Sequence, residues 1–134
     1  MKDRQQHGTR ILVPARPLTH EERSVLKRLV REVDADPEIL ACQERHAMVT
    51  EECDVRCGMV IFGVSESACA AINDQNAPAT GDGPDKDGAP ASVLLHIRDG
   101  YIWMLEVYRH DGQPVRGLPD LDKTVFYGTK SAPP

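Results

Sequence analysis

Apolar residues recur at a helical period in one segment near the beginning of the chain. The stripe consists of Val25, Leu26, Leu29, Val30 and Val33. Thr19 and Glu22 precede it with the spacing of a capping box, in which each side chain accepts a hydrogen bond from the other residue's backbone N–H. The opposite side carries basic residues, as a solvated helix face does. The pattern predicts a helix over 20–33.

A second, shorter helix is predicted over 38–45. Asp36 can cap its first turn, and Pro37 suits the first helical position because its missing N–H is not needed there. Such a helix would direct Ile39, Leu40 and Cys42 inward.

The chain then turns to residues that favour strands. The segments 47–50 and 57–64 are predicted strands, and 51–54 is predicted to be an acidic link between them. The strongest β-signal is the pair of runs 91–97 and 101–109, which flank Asp99-Gly100. Asp-Gly favours a tight hairpin because the central positions of the turn take positive φ.

Strict alternation along 101–109 divides the side chains of this run between two faces. One face would hold Tyr101, Trp103, Leu105, Val107 and Arg109, and the other Ile102, Met104, Glu106 and Tyr108. Both sets are largely apolar as far as Glu106. The run therefore predicts a central strand that is covered on both sides, or covered on one side and paired with another subunit.

The remaining segments predict shorter or less regular structure. The two prolines in 11–17 suit an edge strand, and the alanine-rich 65–73 suits a turn or two of helix. The segment 74–90 is predicted to be a loop, unless Asp87-Gly88 closes a hairpin. Residues 123–127 favour a last short strand.

The order of these elements predicts an α+β fold, with one or two N-terminal helices packed on an antiparallel β-meander. A length of 134 residues suits one domain. We expect a loose N-terminal arm over 1–16, a single domain over 17–127 and a frayed tail over 128–134.

Charge narrows the classes of partner. The chain has 21 acidic against 16 basic residues and a net charge of −5, which disfavours binding to nucleic acid or to anionic membranes. No apolar run reaches the roughly 18 residues of a membrane helix, and the first residues lack the apolar core of a secretory signal. The expectation is a cytoplasmic protein whose four cysteines are thiols.

Soft metal ligands cluster in one window, Cys42-x3-His46-x6-Cys53-x3-Cys57. Four such ligands can form a tetrahedral zinc site. The spacing argues against it, because an i, i+4 pair needs a helix and residues after 46 favour strands. Small buried thiols are the favoured interpretation, a metal site is the alternative, and no cofactor is expected.

No catalytic motif is present. The segment Gly83–Gly88 resembles part of a calcium loop but lacks both closing ligands. Cys57 or Cys69 can be combined with His96 or His110, and Glu106 can orient a histidine, yet no nucleophile signature surrounds either cysteine. We therefore do not expect an enzyme.

The residues most suited to an interface are on the predicted 101–109 strand. Of the six aromatic residues in the chain, Tyr101, Trp103 and Tyr108 fall within this run, and aromatic residues are favoured at interface centres. With Glu106 they form the candidate interaction surface, although a place in the core is the simpler explanation for Trp103. A protein partner is expected, and a homodimer is a further possibility.

The hairpin region 94–112, with its Asp-Gly turn, Leu-Glu-Val-Tyr strand and second Asp-Gly, resembles a group of small uncharacterised bacterial proteins of actinobacterial type. Leu18-Thr19 and Glu22 match their N-terminal helix, and 53–58 matches their cysteine-rich stretch loosely. The resemblance spans about 17–119 and implies a small α+β fold with no assigned activity or site residues. By analogy, small acidic proteins of this kind include immunity proteins of toxin systems, which makes an immunity-type inhibitor the first hypothesis.

Overall fold

The computed structural model of this chain describes residues 10–53, 58–73 and 79–128, without the side chains of 10–13, 52 and 53. Within these ranges it has two α-helices, seven strands and a short 3-10 helix. They are β1 (Arg10–Pro17), α1 (His20–Val30), α2 (Pro37–His46), β2 (Met48–Cys53), β3 (Met59–Gly63), β4 (Ala79–Pro84), β5 (Pro90–Arg98), β6 (Tyr101–Arg109), the 3-10 helix (Leu121–Lys123) and β7 (Val125–Tyr127). Neither α-helix has the length and apolar character needed to cross a membrane.

The strands form one sheet in the order β1-β2-β3-β6-β5-β4-β7, and each neighbouring pair is antiparallel. The α+β prediction is confirmed. The sheet is not one continuous meander, however, because β3 pairs with β6 and not with β4. The apolar β6 takes a central place with a partner on each side, whereas the polar, glycine-rich β4 lies nearer the edge.

The N-terminal part begins with β1 at the edge of the sheet, where prolines are tolerated. Its pairing with β2 is irregular between Leu12 and Arg16, the stretch that contains Pro14. Residues 10–16, assigned above to the N-terminal arm, belong to this strand. The capping box of α1 is present: Thr19 Oγ1 accepts from the Glu22 amide at 3.1 Å, and Glu22 Oε1 accepts from the Thr19 amide at 2.9 Å. The helix ends at Val30, before the predicted boundary at 33.

Both helices pack on one side of the sheet, which we call the inner face. Its fully buried side chains come from both layers and include Val25, Leu26, Leu29, Val49, Val93, Leu95, Ile102 and Leu105. Leu40 of α2 is buried there as predicted, whereas Cys42 is only half-buried. These aliphatic contacts supply most of the hydrophobic stabilisation.

One polar side chain lies within this apolar layer. Gln43 is fully buried, and its Nε2 donates to the carbonyl oxygens of Ala70 at 2.8 Å and Gly100 at 3.0 Å. Its Oε1 accepts from the Ile102 amide at 3.0 Å. The side chain therefore joins α2 to the β5–β6 turn and to the segment after β3.

Three predicted segments differ from the structure. Residues 51–53 continue β2 and are not part of a link, and 65–73 form turns without a helix. Residues 79–84, predicted to be a loop, form β4, which pairs with both β5 and β7. The alternative prediction is confirmed, because Asp87-Gly88 lies in the turn that joins β4 to β5. Glycine permits this approach, because a Cβ atom at Gly81 would lie 2.9 Å from the Phe126 ring.

Candidate functional site

The sheet face opposite the helices, which we call the outer face, carries no helix of the described residues. Because directly paired residues of antiparallel strands share a face, the register assigns its members. Around β6 its apolar and aromatic side chains are Met59, Ile61, Leu94, Tyr101, Trp103, Met104 and Tyr108. This face is the candidate binding surface.

A β-bulge at Trp103 decides which side chains reach the outer face. Ile97 pairs with Ile102 and His96 pairs with Met104, so Trp103 is an extra residue without a partner in the register. Alternation therefore shifts by one position. Ile102 and Leu105 both point inward, whereas Trp103 and Met104 both lie on the outer face.

The bulge brings the four predicted interaction residues together. Strict alternation had separated Tyr101 and Trp103 from Glu106 and Tyr108, and this division is wrong. Tyr101 pairs with Arg98, Glu106 with Leu94 and Tyr108 with Ser92. The Trp103 ring lies under the Arg98 guanidinium, 5.2 Å from its carbon, and 6.5 Å from the His96 ring.

A histidine–carboxylate pair lies near the middle of the outer face. His96 Nε2 is 2.9 Å from Glu106 Oε1, and the two side chains are 31% and 39% exposed. Glu106 thus orients a histidine, as considered from the sequence. The described cysteine Cys69 is not beside this pair, and Cys57 lies outside the described residues.

An open cavity of about 420 Å³ lies at the end of the outer face nearest the β5–β6 turn. Acidic side chains predominate among its charged lining residues, which are Glu51, Glu66, Arg98 and Asp99. Tyr101 also lines it, and its hydroxyl donates to the Cys69 carbonyl oxygen at 2.9 Å. The cavity therefore has an aromatic wall held in place from the neighbouring turn segment.

The sulfur chemistry differs from the prediction. Cys42 and Cys69 are joined in a disulfide, so the expectation that these two are thiols is wrong for this structure. The spacing argument against a Cys42/His46 pair is also wrong, because both residues lie on α2, one turn apart. His46 Nδ1 lies 3.7 Å from Cys42 Sγ and 3.6 Å from Cys69 Sγ.

The predicted four-ligand set is therefore only partly assembled. Cys42 and His46 lie together, but their neighbour is Cys69, which the sequence analysis had not placed in the set. The side chain of Cys53 and all of Cys57 lie outside the described residues. No spacing rule reveals Cys69, because 27 residues separate it from Cys42.

Comparison with known families identifies the family of this chain. Residues 15–119 match the family described as a domain of unknown function, DUF6984. The chain belongs to the DUF6984 family. No curated protein and no solved structure matches it. The match agrees with the expected resemblance to uncharacterised proteins over about 17–119, and it includes the candidate residues on β6 and the cysteine–histidine cluster.

The DUF6984 chain also has a polar network on the outer face that the sequence analysis missed. The Ser92 hydroxyl donates to Asp82 Oδ1 at 2.7 Å and lies 2.7 Å from His110 Nε2. The Tyr127 hydroxyl donates to Asp82 Oδ2 at 2.8 Å, and this bond raises the pKa of Tyr127. The serine separates the acid from the histidine, whereas a nucleophilic triad places the histidine between them. The network therefore joins β4, β5 and β7 of the DUF6984 chain.

Arg109 forms ion pairs with acidic residues of the β4–β5 turn and with Asp111. Arg109 is within 3.4 Å of Asp85 and 2.7 Å of both Asp87 and Asp111. Its hydrogen bonds lower the pKa of Asp111 to about 2 and also lower the pKa of Asp87. The acidic residues that resembled part of a calcium loop are therefore paired with a guanidinium in the DUF6984 chain.

Proposed function

We propose that this DUF6984 chain is a non-enzymatic binding protein whose outer face recognises a partner protein with a basic surface. The observation that carries the proposal is the composition of that face. It combines grouped aromatic and apolar side chains with acidic ones on a surface that no described helix covers. An inhibitor acts by occupying a partner, so it needs no catalytic geometry of its own.

The outer face has apolar side chains that are buried and aromatic side chains that are accessible. Ile61 and Met104 are buried there, although neither belongs to the core cluster under the helices. Tyr108, four positions farther along β6 than Met104, is 45% exposed. Tyr and Trp are enriched where a partner is desolvated, so the half-buried Trp103 and the exposed Tyr108 suit the centre of an interface.

The charges around this group favour a basic partner. Glu51 and Glu106 lie on the outer face, and Glu66 and Asp99 line the cavity at its end, where Arg98 is the basic residue. The net charge of −5 has the same sign. A negative surface steers a positive partner and accelerates association at low salt.

The size of the face, together with its rim, approaches that of one side of such an interface. Neighbouring strands are about 4.8 Å apart and rise about 3.3 Å per residue. The five strands β2, β3, β6, β5 and β4, with five to nine residues in each, present roughly 550 Å². A standard interface buries about 800 Å² per partner, so the face and its rim can supply one side.

An immunity-type role is the specific form of this proposal. A basic toxin would present Lys and Arg side chains to the acidic rim and an apolar centre to Trp103 and Tyr108. Tight binding of this kind depends on a few central side chains. The family assignment leaves this role open, and its support is the chemistry of the face.

The test uses the full chain and a basic partner isolated from the native host. The partner is identified by cross-linking to the tagged chain, purified, and titrated against Tyr108→Ala, Glu106→Lys and wild-type protein. We expect each variant to weaken binding by about 30-fold or more, as a central interface residue does. We also expect added salt to slow association.

Lys27→Ala is the matched control, because Lys27 is exposed on α1, on the other side of the sheet. It should bind like wild type, and thermal unfolding should show that all variants are folded. Equal binding by Tyr108→Ala, or a cross-link map centred on the helices, would overturn the proposal. A homodimer that dissociates on Tyr108→Ala, with no other partner bound, would also overturn it.

A further inference from the structure

We infer that Cys42, His46 and Cys69 form a zinc site when the disulfide between the two cysteines is reduced. The ligand atoms of these residues all lie within 4.8 Å of one another. Thiolate and imidazole are the ligands that zinc prefers. The inference is independent of the proposed binding function and concerns the opposite end of α2 from its N-terminal cap.

The distances from the imidazole already suit a metal. A tetrahedral Zn²⁺ with Zn–S bonds of about 2.3 Å and a Zn–N bond of about 2.0 Å places each sulfur about 3.5 Å from the nitrogen. His46 Nδ1 is 3.7 Å from Cys42 Sγ and 3.6 Å from Cys69 Sγ. Only the two sulfurs, which are bonded here, have to separate to about 3.8 Å.

The backbone needs little change for this separation. Cys42 and His46 are one helical turn apart on α2, and the Cα atoms of Cys42 and Cys69 are 5.8 Å apart. Rotation about the cysteine side-chain bonds can therefore move the sulfurs apart. His46 Nδ1 lies 3.0 Å from the Cys42 carbonyl oxygen, so the metal would replace that hydrogen bond.

The site opens towards His46. Cys69 is buried and Cys42 half-buried, whereas His46 is exposed. Three protein ligands with one accessible side leave a fourth position for water or an external ligand. Calcium and magnesium are disfavoured because both prefer oxygen ligands.

The disulfide and the metal exclude each other. A dithiol reductant transfers two electrons and two protons to the Cys42–Cys69 bond, giving two thiols and the oxidised form of the reductant. Zn²⁺ then displaces the two thiol protons and binds the thiolates. In a reducing compartment, where the sequence analysis expected thiols, the metal would hold α2 to the turn segment in place of the covalent bond.

The experiment compares reduced and oxidised full-length protein. The chain is reduced with a phosphine, desalted, incubated with Zn²⁺ and desalted again, and bound zinc is measured by elemental analysis. We expect one zinc per reduced chain and none per oxidised chain. Co²⁺ in place of Zn²⁺ should give the intense absorption of a tetrahedral thiolate site.

The variants separate this site from Cys53 and Cys57. Cys69→Ser and His46→Ala should bind zinc about a hundredfold more weakly, whereas the double variant Cys53→Ser/Cys57→Ser should bind like wild type. Full binding by Cys69→Ser would overturn the inference. So would loss of binding by the Cys53/Cys57 double variant, because the metal would then lie on the other set.

A second measurement needs no variant and so does not depend on a variant's folding. Reduced wild-type protein is alkylated with and without Zn²⁺, and the modified cysteines are identified by mass spectrometry. We expect zinc to slow alkylation of Cys42 and Cys69 at least about tenfold, since bound thiolates are shielded. Equal rates, or protection of Cys53 and Cys57 alone, would overturn the inference.

Discussion

The two faces of the sheet are built from the same strands but differ in what covers them. On β6, Leu105 points to the inner face and is 0% exposed, whereas its near neighbour Tyr108 lies on the outer face and is 45% exposed. Two helices cover the inner face, and the fully hydrogen-bonded side chain of Gln43 joins α2 to the sheet. The outer face keeps aromatic, apolar and acidic groups together with no described helix above them.

This contrast separates the side chains that stabilise the molecule from those that we propose to contact a partner. Residues that are already buried by the helices contribute to folding and cannot contact a partner without unfolding. Residues on the outer face contribute less to folding, so they can be chosen for binding at small cost in stability. Mutations on the two faces should therefore separate the two roles.

The largest expected effect is on the inner face. Leu105→Ala removes a fully buried side chain and should lower the free energy of unfolding by about 2–5 kcal/mol, from lost burial and the cavity left behind. Tyr108→Ala, three positions along the same strand, should lower it by less than about 1 kcal/mol. Urea denaturation of both variants measures the difference. Equal losses would mean that the outer face is part of the core.

Substitution of Gln43 tests whether the inner face tolerates this polar side chain only because all of its hydrogen bonds are made. Gln43→Leu would leave the Ala70 and Gly100 carbonyls and the Ile102 amide without this partner. We expect a loss of about 2–4 kcal/mol by urea denaturation, since each buried group left unpaired costs about 1–3 kcal/mol. Arg45→Leu, exposed on the same helix, is the control and should change stability by less than about 0.5 kcal/mol. A neutral Gln43→Leu would contradict this account.

Local rules predicted the parts of the fold that depend on a few adjacent residues. Thr19 with Glu22 predicted the start of α1, and Asp99-Gly100 predicted the β5–β6 hairpin, because capping and turn geometry involve groups only a few residues apart. The positive φ of both Asp99 and Gly100 agrees with that reasoning.

Features that depend on distant residues were missed. β4 is a strand because its glycines accept the side chains of β7, more than forty residues away. The bulge at Trp103 shifts the alternation through pairing with β5, so strict period 2 divided the candidate surface wrongly. Cys69 joins Cys42 and His46 only when the segment after β3 folds against α2. None of these contacts leaves a periodic signal in the chain.

The smallest expected effect lies on the outer face and depends on pH. The hydrogen bond to Asp82, then burial and the Asp82 charge, raise the pKa of Tyr127 above its ordinary value of 10.0. A raised pKa favours the protonated phenol in the folded state, so the stabilisation is fully present below pH about 10 and is lost as pH rises through the folded pKa. Unfolding free energies measured across this range should fall less for Tyr127→Phe than for wild type, because phenylalanine does not ionise. An identical decline in both proteins would show that the Asp82–Tyr127 bond contributes nothing to joining β4 and β7, and that the outer face is held together by its apolar contacts and backbone ladder instead.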